Sequence, residues 1–255
     1  MASKTLLTLR QRLLKLLGES NTNNMFDTTI LNAILNDTAE EFAKETLCLK
    51  GLSQQNITSG IADYIIPPTL SVGDERPFQI ADRGMFIYSD ASGTTKDPIT
   101  LYDMTTLNNY EPNWKTLTSA KPKYALVTTE PLKERLGTAA LSETSKMTIT
   151  LVPTPNYTST DKKGVTVYYY RLPQAMSADG DFLDMPERYE NAIIYGSLWK
   201  LFATANRKDL AEPYFNLYQR EMDKATAEKY AGSGKARIFG LKYGIGAISP
   251  YARNQ

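Results

Sequence analysis

The side chains that could do chemistry in this sequence are few, and their spacing suits almost none of the reactions open to them. The chain has 255 residues and no histidine, which removes imidazole acid–base catalysis, Ser-His-Asp and Cys-His nucleophiles and imidazole metal ligation in one step. The single cysteine, Cys48, cannot close an internal disulfide or build a thiolate cage. It fits a reducing compartment and reads as a small apolar residue buried on a helix face. Asp179, Asp181 and Asp184 alternate around Gly180 like part of a calcium loop. The full ligand pattern and its terminal bidentate Glu are missing, so a polar loop ahead of a helix is the better reading. Two carboxylates in a cleft would suffice for a glycosidase, but nothing nominates a pair, and helix caps and i to i+4 pairing explain the acids. The expectation is a non-enzyme with no catalytic, cofactor-binding or metal-binding residue.

Binding chemistry offers more. With 29 basic and 28 acidic residues the net charge is +1, so no global field steers the chain onto nucleic acid or an anionic membrane. Tyr168, Tyr169, Tyr170 and Trp114 could stack on bases, yet a strand would turn Tyr169 away from Tyr168 and Tyr170, and only Arg171 stands nearby as a basic partner. Packing explains these aromatics better. Lys4, Arg10, Arg12 and Lys15 form the charged face of a first helix, whose plain reading is a packed helix with a solvated outer side. The last stretch is different in kind. Gly232, Gly234, Gly240, Gly244 and Gly246 interleave with apolar residues, and no acid follows Glu228. These glycines match neither a P-loop nor a dinucleotide fingerprint. The basic, sticky composition predicts an extended arm that orders on a partner, with Lys235, Arg237, Phe239, Leu241, Lys242, Tyr243, Ile245, Tyr251 and Arg253 as partner-binding residues.

The elements that must carry such an arm follow from periodicity. Leucines three and four apart predict a helix over 3–18, with Ser3 as N-cap and Gly18 as terminator. Arg10, Arg12 and Lys15 interrupt the apolar run, so it is neither a signal peptide nor a membrane span, and the chain reads as cytosolic or unprocessed. After a polar turn over 20–24, Asp27 caps a second helix to about Leu47, with Ile30, Leu31, Ile34, Leu35, Ala39, Phe42 and Ala43 as its stripe. Short apolar runs punctuated by Pro, Gly, Asn and Asp then predict strands at 64–66, 85–88, 99–102, 124–128, 147–151 and 165–170, with 101–109 also open to a short helix. The stretch 156–164 reads as an exposed, mobile loop. Helical spacing returns after Asp184-Met185-Pro186-Glu187, with Tyr189, Ala192, Ile193, Gly196, Trp199 and Phe202 on one face up to Thr204. Asp209 and Glu212 suggest a capping box for a last helix bearing Leu210, Tyr214, Leu217, Tyr218, Met222 and Ala225, with Pro213 near its first turn. The resulting fold class is α+β: a helical bundle built from N- and C-terminal helical hairpins, with a strand-rich central insertion and an extended C-terminal arm. The expected divisions are 1–50, 51–175, 176–231 and 232–255.

This order of elements resembles the head-to-tail adaptor (connector) proteins of tailed bacteriophages, those of short-tailed phages in particular. The resemblance is carried by the leucine-rich first helix with Ile30 to Phe42, by Ala62-Asp63-Tyr64-Ile65-Ile66-Pro67 and Lys121-Pro122-Lys123-Tyr124, and by Ile149-Thr150-Leu151-Val152-Pro153-Thr154-Pro155. It continues through 168–173 and Met185-Pro186-Glu187-Arg188-Tyr189 into the helix over 192–199. It implies a structural virion protein at the head–tail junction, made in the host cytoplasm. Its partners would be portal protein, a tail or nozzle protein, neighbouring copies in a dodecameric ring, and packaged DNA passing without sequence specificity, with no membrane and no cofactor. The alternative from the residues alone is a nucleic-acid-binding module using the basic first helix and the arm.

Overall fold

A computed structural model describes residues 4–18, 26–66, 76–88, 96–119, 121–128, 147–159 and 164–231. The expected arm over 232–255, with all nine of its expected partner-binding residues, lies outside them. Among the described residues the fold is α+β, with five α-helices and strands in two four-stranded sheets and one two-stranded sheet.

Helix α1 (Leu6–Leu17) starts at Thr5, whose hydroxyl accepts from the Thr8 N–H; the expected cap Ser3 lies outside the described residues. The free N–H groups of its first turn find partners far along the chain. Leu6 donates to the Asp181 carbonyl and Leu7 to that of Asp179, which satisfies donors that a helix start leaves open. Gly18 ends the helix in the left-handed conformation at φ 75°, where a side chain would be strained. Helix α2 (Thr28–Thr46) is capped by Asp27, as its sequence signature predicts. Ile30 is exposed and Ile34 half-buried, so the true inner face turns through Leu31, Leu35, Ala39, Phe42 and Ala43.

Helices α4 (Glu190–Thr204) and α5 (Lys208–Ala231) complete the bundle. They run antiparallel: Tyr189 at the start of α4 meets Glu228 near the end of α5, while Trp199 stacks on Tyr218 and Phe202 on Tyr214. Helix α5 begins at Lys208, so Asp209 sits inside its first turn instead of capping it. There its charge suits the helix dipole. Leu217 is exposed, and Ala211 takes the inward place beside Tyr218 and Ala225. At the centre, a Cβ on Gly196 would stand 2.6 Å from Thr38 Cγ2 and 2.9 Å from the Tyr218 ring. Only glycine lets α4 approach that closely.

The middle of the chain is a β-sandwich. One sheet has the order β1 (Lys50–Gln55), β10 (Val165–Leu172), β3 (Arg76–Tyr88), β4 (Lys96–Pro98); the other runs β2 (Asp63–Ile66), β8 (Met147–Val152), β7 (Tyr124–Thr128), β5 (Thr100–Tyr102). Their facing sides share one core, including Ile66, Met85, Ile87, Ile149, Val167 and Tyr169. Helix α3 (Met104–Tyr110) covers the outer face of the second sheet, burying Leu107 with Trp114, Leu126 and Val152. Trp114 also donates its Nε1–H to Asn108, which fits the packing reading of that aromatic. A pair of two-residue strands, β6 (Thr118–Ser119) and β9 (Thr154–Pro155), lies parallel beside it.

Four local readings are corrected. Strand β1 was not expected at all, and β3 is longer than its apolar run: between Ile80 opposite Tyr169 and Met85 opposite Val167 the chain bulges. Gly84 makes that possible, since a Cβ there would meet the Tyr168 carbonyl at 2.7 Å. The described part of the expected mobile loop, 156–159, is tied down. Ser159 N–H donates to the Ile57 carbonyl, the Ile57 N–H donates to Ser159 Oγ, and Tyr157 packs on the sandwich core with burial pushing its phenol up to about 12. Cys48 lies just past the end of α2, half-buried beside the bundle core and outside any helix, with burial pushing its thiol up.

Candidate functional site

Polar side chains first show where function is not. Asp181 accepts from the N–H groups of Ala178 and Ser177, which hold its carboxyl below the ordinary range. Asp179 pairs with Arg10 at 3.0 Å, and Asp184 receives both guanidinium nitrogens of Arg171, at 2.5 and 3.1 Å, plus the Gln174 N–H. The three aspartates are thus fasteners: they bind the segment before α4 to α1, to its own turn and to the end of β10. Among the described residues no group of His, Cys, Asp and Glu is arranged to hold a metal ion.

The basic face of α1 is similarly occupied. Arg10 also donates to Asn32, and Arg12 reaches Glu190 at 2.6 Å and Asn191 at 2.7 Å on α4. Lys4 and Lys15 are exposed. A phosphate backbone would have to compete with the internal partners of both arginines, which leaves α1 as a tie between the two ends of the chain.

The seam between bundle and sandwich is held by charge as well. Arg76, at the start of β3, donates to Glu40 on α2 at 3.0 Å and to the Pro173 carbonyl at 2.9 Å. Burial pulls the Glu40 carboxyl up, but its bonds and charges with Lys44 and Arg76 outweigh that and leave it below the usual range. A shallow depression on α2 is lined by Asp37, Glu40, Glu41, Lys44 and Glu45. Three of its charges are already engaged, through Arg76, Lys44 and the Lys200–Glu41 pair at 2.6 Å.

Exposed apolar side chains occur on both parts: Leu7, Leu16, Ile30, Phe182 and Leu217 on the bundle and the segment before α4, and Leu52, Ile65, Leu101, Met104, Tyr110 and Tyr168 on the sandwich and α3. Leu52 and Tyr168 face each other across β1 and β10 with 50% and 38% of their surface exposed. Tyr170, two residues on, is buried; helix α2 packs against β10, so the two tyrosines differ in exposure. On the other side of the sandwich, Leu101, Met104 and Tyr110 are exposed beside a cluster of Tyr102, Tyr110 and Tyr124, whose ring centroids lie 5.2 to 5.9 Å apart. Their exposure escaped the sequence reading because exposed and buried apolar residues look alike in a strand whose neighbours are unknown. At the far end of α5, Glu228 is held by Arg188 at 3.3 Å and Tyr189 at 3.0 Å.

Compared with known protein families, residues 4–237 match the SU10 adaptor protein family. The chain belongs to that family. No curated protein matches the sequence. Membership covers the whole described fold, both hairpin ends and the sandwich, and makes the chain a structural adaptor of a phage in class. For an SU10 adaptor, association with portal and tail proteins at the head–tail junction is what the family implies. The matched range stops within the expected arm, after Arg237.

Proposed function

We propose that this SU10 adaptor is a head-to-tail connector of a short-tailed phage: copies join as a dodecameric ring beneath the portal, extend the DNA channel and present a surface to the tail or nozzle protein. The family match carries this reading. The fold supports it, because α1 and α2 close with α4 and α5 into one helical bundle, and the sandwich and α3 joined to it carry exposed Leu52, Leu101, Met104 and Tyr110. Packaged DNA then passes without sequence-specific contact, consistent with a net charge of +1.

In this reading the arm meets the portal or a neighbouring copy, with Lys235, Arg237, Lys242 and Arg253 offering charge and Phe239, Leu241, Tyr243, Ile245 and Tyr251 offering apolar anchors. Glycine allows an extended path, and the ordering cost is met on docking. The sandwich faces the tail side, because the exposed Leu101, Met104 and Tyr110 lie on it. The protein is made in the host cytoplasm and ends in the virion. Native mass measurement with and without portal tests the ring; a chain ending at Ala231 tests the arm. Failure of the shortened chain to join portal-bearing heads is the expected result, and normal joining overturns the arm's role. The nucleic-acid alternative predicts salt-sensitive DNA binding by the free chain, which the internal pairing of Arg10 and Arg12 argues against.

A further inference from the structure

We infer that neighbouring copies meet through the outer face of α1 on one and the outer face of α5 on the next, with Lys4 and Lys15 set against Glu212 and Asp223. The inference rests on the ring reading above and deepens it by naming the two faces that a ring brings together.

A closed ring of one kind of subunit needs two different faces on each copy, on opposite sides of it. The bundle supplies them. Helices α1 and α5 each pack on α2 and α4, which therefore stand between them and leave their outer faces directed apart.

The two faces match in spacing and oppose in charge. Along α1 the exposed row is Lys4, Thr8, Gln11 and Lys15, with Lys4 just ahead of the Thr5 cap. Along α5 it is Glu212, Asn216, Gln219 and Asp223, exposed except for the half-buried Gln219. Both rows step by four, three and four residues, which keeps each on one side of its helix and sets its ends about 16 Å apart. Lysines end one row and carboxylates the other. Between the ends lie hydroxyl and amide side chains, which both donate and accept. Lys208 and Arg220 fall outside the acidic row, at the helix start and on the adjacent line.

These charges are what remain after the fold has used the others. Helix α1 contains no acidic residue, and its Arg10 and Arg12 are held by Asp179 and Glu190. Lys4, Lys15 and Glu212 take no part in an ion pair among the described residues, and Asp223 accepts a long bond of 3.4 Å from Gln219 on its own row. On an exposed surface each new pair adds little affinity. Its value lies in register and in the choice of face: two pairs at every contact reject a neighbour shifted along the helix. Two α1 rows repel each other, as do two α5 rows, which disfavours a face-to-face dimer and leaves the head-to-tail contact that closes a ring.

Charge reversal in the full chain tests this, with ring formation on portal read by native mass. Lys4→Glu with Lys15→Glu makes both rows acidic, and Glu212→Lys with Asp223→Lys makes both basic. All four positions are exposed, and unchanged thermal unfolding of each variant checks that the fold is kept. Either variant alone should need about tenfold more protein to form rings. An equal mixture should recover them with the two chains in equal number, because each α1 row then finds an opposite α5 row on the other chain. Rings formed by each variant alone as readily as by wild type, or a mixture no better than its components, overturn the inference and leave the ring reading standing. Absence of rings from wild type overturns both.

Discussion

The helical bundle and the β-sandwich are held together by different means. The bundle ties distant parts of the sequence with charge and amide bonds: Arg10 to Asp179, Arg12 to Glu190, and Asn36, whose side-chain amide exchanges two hydrogen bonds of 2.9 Å with the Met176 backbone. The core of the sandwich is almost wholly apolar, and its outer faces keep Leu52, Ile65, Leu101, Met104 and Tyr110 partly in water. Polar fasteners fix a shape at little risk of unwanted association, whereas open apolar faces gain affinity at the cost of that risk. Exposed apolar residues also occur on the bundle, at Leu7, Leu16, Ile30 and Leu217, so what separates the two parts is the set of long-range polar ties that the bundle carries.

The comparison breaks most directly at Phe42. This ring is fully buried and lies 5.2 Å from Tyr189 and 6.3 Å from Tyr218 by centroid. Phe42→Ala should therefore cost about 3–5 kcal/mol, measured by urea unfolding. If the bundle is the rigid framework, hydrogen exchange in α2, α4 and α5 should rise together, while β7 and β8 keep their protection. Gly196→Ala comes next, at about 1–3 kcal/mol of overpacking. Thr38→Ser in the same chain should restore part of the loss, because the nearest clash is with the Thr38 methyl.

How far the sequence foretells this division depends on whether a signal is local. Asp27 and Gly18 are legible because a cap or a breaker acts within one turn, whereas the helix expected from Pro186 opens as a 3-10 turn over Glu187–Tyr189 and becomes α4 only at Glu190. The strand 124–128 is legible because its apolar run is bounded by polar and proline residues, and it appears at those limits. Strand β1 is hidden because Lys50-Gly-Leu-Ser-Gln-Gln has no β-branched residue; β10 imposes extension on it from outside. The ties Arg10–Asp179 and Arg171–Asp184 are hidden for another reason: partners 169 and 13 residues apart are chosen by tertiary packing. The adaptor character was legible only through the order of whole segments, and the exposed faces of the candidate site were not, since exposure is decided by which neighbour is absent.

Acid should distinguish the regions more gently. Glu40, Asp181 and Asp103 all have carboxyls held below the ordinary range. Each binds fewer protons folded than unfolded as the pH falls below about 5, so its contribution, full above that range, is lost as the pH passes down through the folded value. Glu40 and Asp181 serve the bundle and its seam, whereas Asp103 caps only the short α3. Acid titration followed by exchange should loosen 177–183 and the Arg76 contact before the sandwich core. Asp181→Asn should flatten the pH dependence of the first of these.

The smallest effect on stability is the most telling for adhesion. Met104 is half exposed at the first residue of α3, so Met104→Ser should change unfolding free energy by no more than about 0.5 kcal/mol. The same change removes apolar contact area from the face assigned to the tail protein. Heads carrying it should bind portal as before and capture tail protein less well, measured by the yield of joined particles at limiting tail concentration. Unchanged capture would take this face out of the tail interface, whereas a matched loss of portal binding would mean that the sandwich and the bundle do not divide the work.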